Sequence, residues 1–282
     1  MTSAIKKPSI AVVIPIYKDD ITLLALLQNL QNIDIDAIII ADGQARPNIA
    51  ANIDLKLPDN QRRKITWLAA APKGRGAQIQ AGIARARADY IWVLHADSCA
   101  AKDAPKAIRK TLARPKTSLG TFTLKFDKTN LALSLFAWIS RLDSPLTTFG
   151  DQGFFFRRKD YGALGLNLTD YPLLEDVAMR RAFKGLGDVT RSPVKLVTSA
   201  RRFERRGIWA TQIFNAHILW RYLRGESPTV LYLDYYQTEA IERAQTHSQL
   251  AAPKRPLQLS PYKIKSDADR SLTSSRFSNS MT

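Results

Sequence analysis

His95-Ala96-Asp97-Ser98 directly follows the apolar run Tyr90 to Leu94, which places a carboxylate at the rim of what that run predicts to be a buried strand. An acid or a serine at a strand-to-helix turn caps the helix. A carboxylate there also suits a hard divalent cation, which is held by one or two carboxylates together with substrate phosphates. Taken alone the two readings balance, and His95 either assists or packs. Asp42-Gly43 ends a second apolar run and by itself reads as a turn. Lys73-Gly74-Arg75-Gly76 is more telling. Its glycines let a backbone come close, its cations add charge, and the helix expected to follow presents an N-terminus that favours phosphate. It matches neither a Walker loop nor a dinucleotide fingerprint. Gln78, Ala81 and Gly82 give the same helix a face suited to close approach by a ligand or a strand.

Further along, Gly150-Asp151-Gln152-Gly153 precedes the aromatic run Phe154 to Phe156 and by itself reads as a loop entering a strand. Glu175-Asp176 opens an expected helix, where the dipole favours acids; that accounts for Glu175 and less well for Asp176. Arg201-Arg202-Phe203-Glu204-Arg205-Arg206-Gly207 concentrates guanidinium groups suited to multidentate phosphate binding, and equally to a solvated basic face.

The elements that position these residues alternate. Ile10 to Ile16 is a continuous β-branched run that predicts a strand buried on both faces. Leu23, Leu26, Leu27 and Leu30 recur at helical spacing between Asp20 and Gln31, with Asp20 or Thr22 as the cap. Ala37 to Ala41 and Ile65 to Ala70 predict two more strands, Gly76 to Ala88 a helix, and Tyr90 to Leu94 a fourth strand. Strands alternating with helices imply an α/β fold with a mostly parallel, Rossmann-like sheet flanked by helices. Ligands then collect beyond the carboxyl ends of the strands, where Tyr17 to Asp19, Asp42 to Gln44 and His95 to Ser98 all fall. Beyond residue 115 the pattern loosens into a strand at Leu119 to Phe126, a helix at Leu131 to Leu142, a short strand at Gly153 to Phe156, and helices at Leu174 to Phe183 and Ile208 to Leu223. The expected organisation is a regular first half over 1–115, a looser second half with a C-terminal helix over 116–240, and a disordered basic tail over 241–282.

With 282 residues, 45% of them hydrophobic, the chain can bury a core without a disulfide or structural metal. A single cysteine, Cys99, and an N-terminal apolar run too short to span a bilayer point to a reducing, cytoplasmic setting. The 42 Lys and Arg against 25 Asp and Glu give a net charge of +17, a field that gathers polyanions: nucleic acid, an anionic bilayer or a phosphorylated small molecule. Zinc-finger, RNP and helix-turn-helix patterns are absent, so nucleic acid is not expected as a partner. The segment Ile208 to Tyr235 is apolar but broken by Arg221 and Arg224. It reads first as a helix packed on the domain, and second as a peripheral contact with the inner face of an anionic membrane through Trp209 and Trp220.

Seven segments in order, VVIPIYKDD, IIIADGQ, KGRGAQIQAG, WVLHADS, FGDQGFFFRR, LLEDVAMRR and SARRFERRG, resemble the family 2 glycosyltransferases, and more closely the bacterial branch called selenodomain-associated transferase 2. The resemblance implies a GT-A fold, a nucleotide-diphospho-sugar donor with a UDP-sugar favoured, and a divalent metal, Mn²⁺ or Mg²⁺, at Asp97. It implies that Asp42 recognises the base, that Arg75 and its neighbours approach the donor, and that Asp176 is the catalytic base. The donor side then comprises Pro15, Tyr17, Asp42, Lys73, Arg75, Gln78, Asp97, Arg205 and Arg206, and the acceptor side Asp151, Gln152 and Glu175. Two segments depart from the family: its Asp-x-Asp reads His95-Ala96-Asp97 here, and its Asp-Asp-Gly-Ser reads Ala41-Asp42-Gly43-Gln44.

The function expected is metal-dependent, inverting transfer of a sugar to an acceptor hydroxyl. One alternative is a non-catalytic protein binding polyanions or a membrane surface; Asp97, Glu175 and Asp176 argue against it, because acids in a nucleic-acid groove repel phosphate. The other is a nucleotidyltransferase. Those place a glycine-rich cationic loop after the first strand, where this chain has Pro15-Ile16-Tyr17-Lys18-Asp19.

Overall fold

β1 (Ile10–Ile16) is buried at all seven positions, as an apolar strand covered on both faces must be. Its alternate side chains serve two cores. Ile10, Val12, Ile14 and Ile16 face one with α1 (Asp20–Leu30), while Ala11 and Val13 face the other. α1 delivers Leu23, Leu26, Leu27 and Leu30 to the first core, each contributing about 1.5–3 kcal/mol on full burial. In the computed structural model residues 7–17, 20–44, 46–69, 74–128, 150–200 and 208–237 are described. All of these fall within one compact unit, Met1–Thr238. The helix expected at Leu131 to Leu142 and the tail expected over 241–282 lie outside the described residues.

β2 (Ala37–Asp42) pairs in parallel with β1, and after α2 (Pro47–Asp54) and α3 (Asp59–Arg62) the chain adds β3 (Ile65–Ala69) in parallel beyond β2. α4 (Arg75–Arg85) crosses back and β4 (Tyr90–Val93) joins the other side of β1, also in parallel. α4 buries Ile79 and Ile83 in the second core, and Gly82 meets Val13 so closely that a Cβ would stand 2.4 Å from Val13 Cγ1. The strand order reverses about β1, so the crevice beyond Ile16 and Val93 is the topological switch point at which such sheets hold ligands.

The later chain extends the same sheet. β5 (Ser98–Cys99) and α5 (Ala104–Leu112) lead to β6 (Thr117–Phe126); then come a 3₁₀ turn at Gly150–Gln152, β7 (Phe155–Arg157) and α6 (Arg158–Ala163). α7 (Glu175–Leu186) precedes β8 (Asp188–Thr198). Among the described residues the order is β3-β2-β1-β4-β7-β6-β8-β5, with β7 antiparallel to β4 and β6, and β8 parallel to β6. The two expected halves therefore share one sheet, and Phe122 joins them by packing between Trp92 and Phe155 at ring centroids of 5.4 and 4.9 Å. α8 (Ile208–Leu223) and α9 (residues 228–237) close the described chain.

Element ends differ from expectation for local reasons. β7 begins at Phe155 rather than Gly153, because Gly153 takes φ +63° and its N–H closes the 3₁₀ turn on Gly150 O at 2.9 Å. α7 begins at Glu175 rather than Leu174, because Leu174 is left-handed (φ 63°). α4 runs from Arg75 and stops at Arg85, since Ala86 is extended.

Candidate functional site

β4 ends in buried Leu94 and hands the chain to His95 on the rim. The His95 side chain is mostly covered, and its Nδ1 lies 2.9 Å from Asp151 Oδ1 on the 3₁₀ turn. A ring N–H donating there leaves Nε2 facing Gly150, where a Cβ would come within 3.3 Å of it. Asp97, two residues on, is exposed on the same turn.

Asp176 reaches the turn from the opposite side. Its Oδ2 accepts the Gly150 N–H at 2.9 Å and its Oδ1 accepts the Val177 N–H at 2.8 Å. Both bonds aim the carboxylate while leaving each oxygen a lone pair. Gly150 is thus held between His95 and Asp176, and a Cβ there would meet both side chains at 3.3–3.4 Å. The left-handed turn at Leu174 sets the direction in which Glu175 and Asp176 leave the chain.

Glu175 is 2% exposed, and its Oε1 stands 3.3 Å from Arg75 Nη1. Burial pushes its carboxyl above the ordinary range, and the Arg75 charge pulls the other way. Glu175 in turn holds the Arg75 guanidinium more firmly protonated. Arg75 opens α4 from a turn in which Gly74 takes φ +102°, and a Cβ on Gly76 would stand 2.3 Å from the carbonyl oxygens of Leu168 and Tyr171. The two glycines therefore admit the 168–172 segment against the helix start. Lys73, Arg205 and Arg206 lie outside the described residues.

Asp42 and Gln78 form a second group at the ends of β1 and β2. Gln78 Nε2 donates to Ile16 O at 2.6 Å and to Ala41 O at 3.3 Å, tying the two strand ends to α4. Asp42 is 3% exposed and accepts from Gln44 N at 2.9 Å, Arg46 N at 3.2 Å and Arg46 Nε at 3.2 Å. Arg46 also donates from Nη1 to Asp20 Oδ1 at 2.7 Å, so it bridges α1 to β2. Arg46 was not among the expected site residues; its only mark in the sequence is its place four residues after Asp42. Pro15 is buried within β1, whereas Tyr17 is 53% exposed just beyond it, against Gly43. Gln152 is fully buried and Asp151 half-exposed.

The structure therefore brings His95, Gly150, Glu175 and Asp176 around one small pocket floored by Val93 and Ile79, with Arg75 behind Glu175 and Asp151 behind His95. Among the described residues no group of three or more His, Cys, Asp or Glu is arranged to enclose a metal ion. The exposed carboxylate of Asp97 fits a hard cation whose remaining positions are filled by phosphate and water, as Mg²⁺ commonly is, rather than a preformed cage.

A sequence model described as glycosyl transferase family 2 matches residues 11–162, more than half of the chain. No curated protein sequence matches. Among solved structures the fold is similar to the mannosyltransferase PcManGT from Pyrobaculum calidifontis, determined in complex with GDP-Man and Mn²⁺, with a TM-score of 0.60 and 16% identity over 89% of this chain and 78% of that one. It is also similar to residues 1–349 of S. aureus TarS, with a TM-score of 0.53 and 11% identity over 75% of this chain and 64% of that one. The sheet carries the GT-A fold, and with β2, β3, β4, the 3₁₀ turn, β7 and all but the first residue of β1 inside the matched stretch, the chain belongs to glycosyl transferase family 2.

Proposed function

We propose that this glycosyltransferase moves a sugar from a nucleotide-diphospho-sugar to an acceptor hydroxyl with inversion at the anomeric carbon, using Asp176 as the base. The observation that carries this reading is the Asp176 carboxylate, fixed by the Gly150 and Val177 N–H groups at a pocket it shares with His95 and Glu175. A base acts only when held within reach of the proton it takes. The acceptor oxygen bonds to the anomeric carbon and its proton passes to Asp176. The bond to the diphosphate breaks, and the electron pair leaves with the phosphate oxygen. An in-line displacement needs base and leaving group on opposite faces of the sugar. Asp97 follows β4 and Asp176 opens α7, so the two carboxylates come from separate parts of the chain.

Arg75 meets the diphosphate at the start of α4, where helix dipole and guanidinium act together, and Glu175 keeps that guanidinium in place. A divalent cation, Mn²⁺ or Mg²⁺, held by Asp97 and the donor phosphates would stabilise charge on the leaving diphosphate. The GDP-Man and Mn²⁺ in the mannosyltransferase complex support the donor class and the cation. A UDP-sugar is the favoured donor.

A second reading concerns the last two helices, whose outer faces would make a peripheral contact with a membrane surface. No helix among the described residues is long and apolar enough to cross a membrane. Ile213, Trp220 and Leu223 of α8 and Val230 and Leu233 of α9 are nonetheless exposed, in a chain of net charge +17. Apolar side chains at the interface combined with positive charge are what bind a helix to the anionic inner face of a membrane.

The test is a panel of UDP- and GDP-sugars with Mn²⁺ or Mg²⁺, read as released nucleoside diphosphate. Release from one or more donors, raised by metal, is expected. No release and no calorimetric binding across the panel would contradict the reading.

A further inference from the structure

The family match ends at residue 162, so it leaves the hairpin of α8 and α9 without a role. That hairpin is built into the site. Ile218, Leu231 and Tyr235 are buried against Leu173 and Leu174, the two residues that precede Glu175. Tyr222 packs against the same cluster, whose Leu173 follows Tyr171 and Pro172 in the chain, and these abut Gly76 and Gly74 at the start of α4. Arg221 Nε donates to Glu226 Oε2 at 2.6 Å and Nη2 to Asp234 Oδ2 at 2.7 Å, which fixes α9 relative to α8.

So anchored, α9 turns two tyrosines toward the donor side. Tyr232 and Tyr236, one helical turn apart, have ring centroids 4.6 Å apart. Tyr236 lies within electrostatic reach of Arg75, and Tyr232 within reach of Tyr17. Tyr17 in turn abuts Gly43, the neighbour of Asp42, at the end of β2. The aromatic group therefore runs from the cation at the start of α4 toward the two strand ends. Tyr17 is 53% and Tyr236 42% exposed, so ring surface remains for a ligand.

From this arrangement we infer that Tyr232 and Tyr236 form, with Tyr17, an aromatic wall that packs on the nucleoside of the donor while Arg75 meets its diphosphate. Base–aromatic stacking tolerates any base and is removed by alanine substitution. The inference rests on the nucleotide-sugar reading above, and the test separates the two.

Calorimetry of the full chain with Mn²⁺ and UDP, GDP or inorganic pyrophosphate is the experiment. Tyr232→Ala and Tyr236→Ala each weaken the better-bound nucleoside diphosphate by about fivefold or more, the lower end of the stacking range, and leave pyrophosphate, which has no nucleoside, unchanged. Tyr236→Phe keeps the ring and the affinity. Leu233→Ala, a change to an exposed side chain on the same helix, binds as the wild type does. Unchanged nucleoside-diphosphate affinity in both alanine variants overturns the inference, as does an equal loss for pyrophosphate, which would mark an undocked hairpin. A wild-type chain that binds neither UDP nor GDP overturns the nucleotide-sugar reading and this inference with it.

Discussion

Arg75 Nη1 lies 3.3 Å from Glu175 Oε1, joining the first turn of α4 to the first turn of α7. One partner opens the helix proposed to meet the donor phosphates, and the other adjoins the carboxylate proposed to take the proton. The Glu175 side chain is almost fully covered, while that of Arg75 keeps about a third of its surface. The pair thus registers the two halves of the site against each other, across a sheet they share.

Glu175→Gln removes the charge and leaves Arg75 beside a neutral amide. The pH dependence has a definite sign. Burial raises the folded-state pKa of Glu175 above its ordinary 4.5, so the folded state binds more protons than the unfolded one. The stability this group contributes is present below that ordinary value and is lost as pH rises through the raised one. Urea midpoints followed upward from pH 4 should fall through this window in the wild type and fall less in Glu175→Gln. Parallel curves would contradict the assignment.

Gly150→Ala tests the contact between the turn and the base. The added Cβ would stand 3.3 Å from His95 Nε2 and 3.4 Å from Asp176 Cβ, so one of the two side chains must shift by a few tenths of an ångström. Small displacements of a reacting group are expensive in rate, and turnover should fall by about tenfold or more with little change in thermal midpoint. Wild-type turnover in the variant would show that the Gly150 contact does not set the position of Asp176.

Asp97→Ala should leave the thermal midpoint in place, because the side chain is exposed and outside both cores. It should abolish the increase in nucleoside-diphosphate affinity that Mn²⁺ produces in the wild type, measured by calorimetry. An undiminished Mn²⁺ effect would remove Asp97 from the metal.

Much of this arrangement is legible in the chain itself. β1, β2 and β4 are runs of apolar residues with no competing pattern, and α1 carries its leucines at helical spacing. Other elements are hidden for identifiable reasons. β8 (DVTRSPVKLVT) mixes exposed polar positions with only a few buried ones and contains Pro193, so its period of two is blurred. α5 has Pro105 in its first turn and three cations, and buries only a narrow stripe around Ile108 and Leu112. α9 follows α8 after so short a turn that the two read as one apolar segment.

For the site, residue type and motif order single out Asp176 and Arg75, and the structure brings them to neighbouring helix starts. The partners that define their setting come from distant parts of the chain: Glu175 for Arg75, Gly150 N–H for Asp176, Asp151 for His95. No local pattern encodes those pairings. Glu175, explicable from sequence as a first-turn acid, is also half of a buried ion pair, and the hydrogen-bond capacity of Asp42 and Gln78 is largely met by Arg46 and by strand-end carbonyls.

The membrane reading predicts that the chain floats with liposomes containing anionic lipid at low salt and not with neutral ones. Replacing Trp220 and Leu233, both about half exposed, with serine should reduce the floating fraction severalfold without altering nucleotide binding. Equal recovery in the unfloated fraction with and without anionic liposomes would count against it.

The central claim is that Asp176 takes the acceptor proton, and Asp176→Asn tests it most directly. Asparagine keeps the shape and can still accept the Gly150 N–H through its carbonyl oxygen, but it cannot act as a base at neutral pH. With the donor identified, the affinity for donor and Mn²⁺ should stay within about twofold of wild type, and turnover should fall by about a hundredfold or more. Near-normal turnover in Asp176→Asn would contradict the account.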